Sequence, residues 1–364
     1  MVDKGVILYF LMLSAVINWS KLPKVVLHEH LDGNLRPQTL LELCRQRGVE
    51  LPADTPEALQ HWIHQQANSG SLERYVAAFG LTVAAMATPD ACERVAFEAV
   101  EDCALDGALL IELRIAPLLL ESHGLGGDEA VQAMLAMLAG LARGSAATGV
   151  PAGLIVCGMR TDAPQDVMRS AELAARFADK NVIGFDLAGA EKGFPATLHS
   201  KAVALAREAG LGITLHAGEA DVGERVIEAI VLGATRIGHG VQITQGQGAS
   251  ERMARAREAG VHFEVCPTSN MHTGAWNDLA THPLVEMERA GLNWSVQADN
   301  RLISVLTQGS ELQVAHEVCG LNLAQIMRGQ MRAARASFLS ASQREHAQQR
   351  ITDWCAKQAI AIAS

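Results

Sequence analysis

An α/β chain folded as a (β/α)8 TIM-type barrel is what this sequence predicts, from three observations. Apolar runs of strand length alternate with longer helical stretches from residue 21 onward. Eight such runs are present, and each is apolar almost throughout, which requires cover on both faces and so a closed parallel sheet. Three of the runs follow nearly the same helix ending: AREAG before LGITLH, AREAG before VHFEV and ERAG before LNWSV, with Gly supplying the left-handed stop.

The eight runs are Lys24 to His28, Ala108 to Ile115, Ala152 to Cys157, Val182 to Leu187, Gly212 to His216, Thr235 to His239, His262 to Cys266, and Asn293 to Ala298. Between the first and second, residues 34–107 are too long for one helix. Helical periodicity around Pro37 to Arg47, Glu57 to Gln66 and Ala91 to Asp106 predicts a helical insertion that could roof the site. A helical tail from about Gly309 closes the outer layer. Residues 21–364 read as one domain, without linker or low-complexity tract.

Residues 1–20 read as an N-terminal extension. Val6 to Trp19 is apolar, but short for a bilayer span and not followed by an A-x-A cleavage site. Seven scattered cysteines without a CxxC pair argue against a disulfide framework, so a cytoplasmic location is expected, with export the alternative. With 49% hydrophobic and 19% charged residues and a net charge of −10, the chain has a large core and no general basic surface. Nucleic acid and stable membrane association are not expected partners, and a small molecule is.

Chemistry concentrates at the C-terminal ends of the strands. In LHEHLDG, side chains alternate, so His28 and His30 face the same way and can converge on one ion. The fifth run ends in LHAGE, which places His216 at the same rim and Glu219 on the loop beyond; the sixth ends in IGHG with His239, and the eighth in QADN with Asp299 and Asn300. Four of eight strands thus deliver a metal-competent or proton-transferring group to one face.

Five stretches in this order, LPKVVLHEHLDG, FDLAGAE, ITLHAGE, IGHGV and EVCPTSN through ADN, resemble the adenosine deaminase family over most of the chain from about Lys21. The resemblance implies one Zn²⁺ per chain held by His28, His30, His216 and Asp299, and attack of activated water at C6 of a purine nucleoside, giving inosine and ammonia from adenosine or 2′-deoxyadenosine. It implies Glu219 as proton donor to purine N1 and His239 as the group that orients water and accepts its proton. It further implies substrate contacts from His30, from Asp32 to a ribose hydroxyl, from the Gly189 N–H to purine N3, and from position 300 to N7. Many members carry Asp there, and this chain carries Asn300, whose amide donates without first being protonated.

Related readings keep the mechanism and change the substrate to adenine, aminodeoxyfutalosine or an N6-modified adenosine. AMP is less expected, for want of an assignable basic group. A two-metal site is disfavoured because the fourth run ends in GFDLAG and the first lysine beyond it, Lys192, lies in a loop. A non-catalytic metal- or nucleoside-binding barrel should lose Glu219 or His239, and both are present. His262 and Glu264 form an HxE without the PCxxC of the cytidine deaminases and read as ordinary strand residues. Glu112 and Arg114 read as a buried ion pair. His61, His64, His123, His199, His272, His282, His316 and His346 are expected on the surface or in loops, and Met134 and Met137 as core filler.

Overall fold

The computed structural model describes residues 17–68 and 79–362. Most of the apolar N-terminal segment lies outside these residues; of its end, Ile17 and Trp19 pack on the C-terminal helices and the first strand.

Eight parallel strands stand in sequence order, β1 (Lys24–His30), β2 (Ala108–Ile115), β3 (Ala152–Met159), β4 (Val182–Ala188), β5 (Gly212–Ala217), β6 (Arg236–His239), β7 (His262–Val265) and β8 (Asn293–Val296). The first and last meet through a bridge between Glu29 and Asp299, where His30 N donates to Asp299 O (2.9 Å) and Asp299 N donates to His28 O (3.0 Å). The seam of the barrel therefore lies among the residues expected to carry chemistry. The three recurrent helix stops take the left-handed conformation they require, at Gly210 (φ 81°), Gly260 (φ 69°) and Gly291 (φ 71°).

The insertion between β1 and β2 is helical over Pro37–Arg47, Pro56–Ala67, Phe79–Met86 and Pro89–Leu105. Two of these begin on a threonine cap followed by proline: Thr55 accepts from Ala58 N and Thr88 from Ala91 N. The tail forms Gln308–Glu317, Leu323–Ala336 and Ala341–Lys357, each opened by a reciprocal capping box. Strand ends differ from expectation by a few residues. The first strand continues through His30, because the bridge to Asp299 keeps it paired, and the last stops at Val296, because Asp299 turns left-handed (φ 67°). Met134 and Met137 are fully buried, as core filler.

Inside the barrel, buried charges form a ladder that the apolar strand pattern concealed. Glu112 and Arg114 do not pair with each other as expected. They sit two residues apart on β2, roughly 6.6 Å along the strand, so each meets a partner in its own layer. Arg236 Nη1 contacts Glu112 at 2.6 Å and its Nε contacts Glu264 at 2.6 Å. Arg114 joins Glu264 and Asp186, each at 2.6 Å. Below the ladder the Phe338 ring lies 3.8 Å from the Arg236 guanidinium, in space that a Cβ at Gly212 would occupy.

Removing one partner of such a buried set leaves uncompensated charge, which costs about 3–5 kcal/mol. Arg114→Met is therefore expected to lower unfolding stability by about that much, leaving Asp186 and Glu264 without their shared cation. Denaturant unfolding measures it; an unchanged midpoint would show that the ladder is not coupled as its geometry indicates.

Candidate active site

His28, His30, His216 and Asp299 come together from β1, β5 and the turn after β8, with their ligating atoms all within 4.8 Å of one another. His30 Nε2 lies 3.3 Å from His216 Nε2, and Asp299 Oδ1 lies 3.4 Å from His28 Nε2 and 3.5 Å from His30 Nε2. The opposite ring nitrogens are held from behind: His28 Nδ1 is 2.7 Å from Glu264, and His216 Nδ1 is 2.9 Å from Asp186. Protons on those Nδ1 atoms leave the Nε2 lone pairs facing one another and a carboxylate. That arrangement fits a cation, and a three-nitrogen, one-oxygen donor set suits zinc. Burial holds His30 well below the usual imidazole range and also lowers His216, against the pull of Asp186, so both favour the neutral, ligating form.

One guanidinium serves both ligands. Arg114 bridges Asp186 and Glu264 and also donates to Leu27 O at 2.7 Å, fixing the residue before His28. Ser269 Oγ donates to Asp299 Oδ2 at 2.6 Å.

Glu219 and His239 flank the cluster. Glu219 Oε2 is 3.7 Å from His239 Nε2. Burial, then the charges of Asp299 and Glu191, push the Glu219 carboxyl up to about 8. His239, at the left-handed end of β6 (φ 60°), is held well below its ordinary range by burial, and Asn270 Nδ2 lies 3.0 Å from its Nδ1. These residues line a cavity that also includes Asp32, Gly189 and Asn300, with Phe79, Leu119 and Met159 as apolar wall. Burial raises the Asp32 carboxyl to about 7, and its Oδ1 has no hydrogen-bond partner among the described residues. Gly189 has φ 92°, where a side chain is strained and a Cβ would meet Met159 at 2.9 Å. Gly33 is required by Asn300, whose Oδ1 would lie 1.9 Å from a Cβ there.

All nine sequence-derived site residues therefore share one cavity or the cluster at its base. Their supports, Asp186, Glu191, Glu264, Asn270 and Arg114, were missed in those roles. The signal available was a charge inside an otherwise apolar strand, as in FDLAG and HFEVC, because such a group is retained only when paired. Glu264 is a strand residue as expected, yet not an ordinary one. Three histidines expected on the surface or in loops are buried: His199 bonds Arg160 O, His272 contacts Ser304, and His282 contacts Asn270. Each has a polar partner that makes burial tolerable.

An eight-stranded barrel with its titratable groups gathered at the C-terminal rim has the layout of a (β/α)8-barrel enzyme. A family model described as adenosine deaminase matches residues 23–354. An adenosine deaminase of Mycobacterium marinum is 40% identical over 334 residues, 88% of this chain and 92% of its own length. Another, of Mycobacterium avium, is 39% identical over 340 residues, 89% of this chain and 92% of its own. Among solved structures, an adenine deaminase from Arthrobacter aurescens matches with a TM-score of 0.83 at 25% identity, covering 92% of this chain and 99% of that one. A zinc-bound amidohydrolase from Burkholderia ambifaria matches in fold with a TM-score of 0.82 at 22% identity, covering 94% and 92%. The chain belongs to the adenosine deaminase family, as its five motifs imply, and is a hydrolytic deaminase.

Proposed function

We propose that this protein hydrolyses the 6-amino group of adenosine and 2′-deoxyadenosine, releasing inosine or 2′-deoxyinosine and ammonia. The observation that carries the reading is a three-histidine, one-aspartate cluster at the base of a cavity that Glu219 also lines. Bound by His28, His30, His216 and Asp299, a zinc ion supplies acidification of water toward neutral pH. His239 orients the attacking water and takes its proton, in the neutral form that burial favours. Glu219 delivers a proton to N1 of the ring, which draws electron density from C6 and opens it to attack. Gly189 offers its N–H to N3, and Asp32 binds a ribose hydroxyl through its buried carboxyl.

The curated relatives at about 40% identity favour adenosine over adenine, although a structural neighbour is named for adenine. An ultraviolet assay on adenosine, 2′-deoxyadenosine, adenine, N6-methyladenosine, aminodeoxyfutalosine and AMP tests this. Adenosine and 2′-deoxyadenosine should show the highest kcat/KM, and preference for any of the other four would overturn the assignment.

Asn300 supplies a donor to N7 at any pH. Asn300→Asp is expected to retain adenosine turnover within about tenfold, a change of about 1.4 kcal/mol in transition-state binding. It should also acquire greater alkaline sensitivity, because the new carboxyl donates only when protonated. A folded, metal-loaded, inactive variant would remove position 300 from the N7 contact.

A further inference from the structure

The loop that carries Glu219 is anchored by a carboxylate from a different strand connection. Glu191, beyond the end of β4, is 2% exposed. Its Oε1 accepts from Gly218 N at 2.6 Å, and its Oε2 accepts from Glu219 N, Ala220 N and Asp221 N at 3.0, 3.0 and 3.1 Å. Four consecutive backbone N–H groups thus converge on one side chain, the concave arrangement in which a peptide turn wraps an anion. Gly218 makes the turn possible at φ 65°. Buried Arg160 approaches Glu191 Oε1 at 3.9 Å and donates from Nη2 to Leu187 O (3.1 Å) and to His216 O. The end of β4, the last turns of β5 and the Glu219 loop are therefore tied through one acid and one base.

We propose that Glu191 is a positioning residue for deamination: by accepting the four N–H groups of Gly218 to Asp221, it fixes the peptide planes on both sides of Glu219 and so aims its carboxyl into the cavity. The inference rests on the reading of Glu219 as proton donor. Without Glu191, four inward-facing N–H groups would lose their acceptor, and the turn would reopen to find water. The negative charge of Glu191 also adds to burial and Asp299 in keeping Glu219 protonated. A misplacement of about 1 Å at a reacting group costs roughly 100-fold in rate.

Glu191→Gln preserves length and replaces one acceptor oxygen by an amide that confronts N–H donors. Its kcat on adenosine should fall about 100-fold, with KM within about threefold and metal content unchanged. In the Glu191→Gln, Glu219→Gln double variant, kcat should match Glu219→Gln alone within about threefold, because a group acting only through Glu219 has nothing left to position. If the two losses multiply, or if Glu191→Gln retains full kcat while Glu219→Gln is inactive, the positioning role is wrong. An active Glu219→Gln variant would instead remove the donor reading on which it rests. Hydrogen exchange on the unaltered protein gives a test that does not depend on a variant folding. The amides of residues 218–221 should exchange at least about 100-fold more slowly than exposed loop amides, and exchange at exposed-loop rates would also overturn the proposal.

Discussion

Glu219→Gln is expected to lower kcat on adenosine by about 10²–10⁴-fold, the range for removing a positioned general acid, while metal content and KM stay close to those of the unaltered protein. The glutamine amide has the shape of the acid and still donates a hydrogen bond, but it transfers no proton to N1. The site around it keeps the residues proposed to hold the metal, since His28, His30, His216 and Asp299 are untouched. The pH profile sharpens the test. With its carboxyl raised to about 8 by burial and by the neighbouring Asp299 and Glu191, Glu219 holds its proton through neutral pH and loses it as pH climbs past 8. The unaltered enzyme should therefore lose activity on the alkaline side, about tenfold per pH unit, and the residual activity of Glu219→Gln should lack that limb. Stopped ultraviolet assays from pH 6 to 10 decide it; a variant with near-normal kcat would exclude Glu219 as the donor.

The parts of this molecule that sequence made legible are those where one side chain does something its neighbours cannot. The eight strands read correctly because a parallel sheet covered on both faces leaves runs such as ALLIELRI and VIGFDLA with little polar interruption. The histidines at 28, 30, 216 and 239 and Asp299 stood out because they end such runs at one rim. What escaped notice was pairing across the barrel. Nothing local links Arg114 with Glu264, 150 residues away, and the nearer Glu112 offered a partner that the strand geometry does not permit. His199, His272 and His282 escaped for the same reason, because the oxygens and amide that make their burial tolerable are supplied by tertiary structure. Glu191 lies within FDLAGAE, yet its partners are backbone N–H groups, which no residue pattern encodes.

Stripping the metal should have the other large effect, and the scaffold explains why the loss is expected to be reversible. Dialysis against a chelator should abolish turnover by on the order of 10³-fold or more, since several kcal/mol of catalysis depend on acidified water. Activity should return with about one equivalent of Zn²⁺. Asp299→Ala should behave like the stripped protein and resist restoration, because its carboxylate is the one negative charge in the proposed ligand set. Imidazole ligates a metal in its neutral form and so brings no charge of its own. The outer carboxylates sharpen the contrast. Asp186→Asn leaves all four ligands in place but weakens the hold on His216 Nδ1, now 2.9 Å from Asp186, and such outer partners typically cost 10–100-fold in metal affinity. A graded series follows, with the unaltered protein tightest, Asp186→Asn intermediate and Asp299→Ala weakest. Competition with a chromogenic chelator measures it directly, independent of turnover. A protein that purifies without stoichiometric metal, takes up none on titration and still deaminates adenosine would contradict the proposed arrangement, because the three imidazoles that converge on the Asp299 carboxylate would then hold no cation.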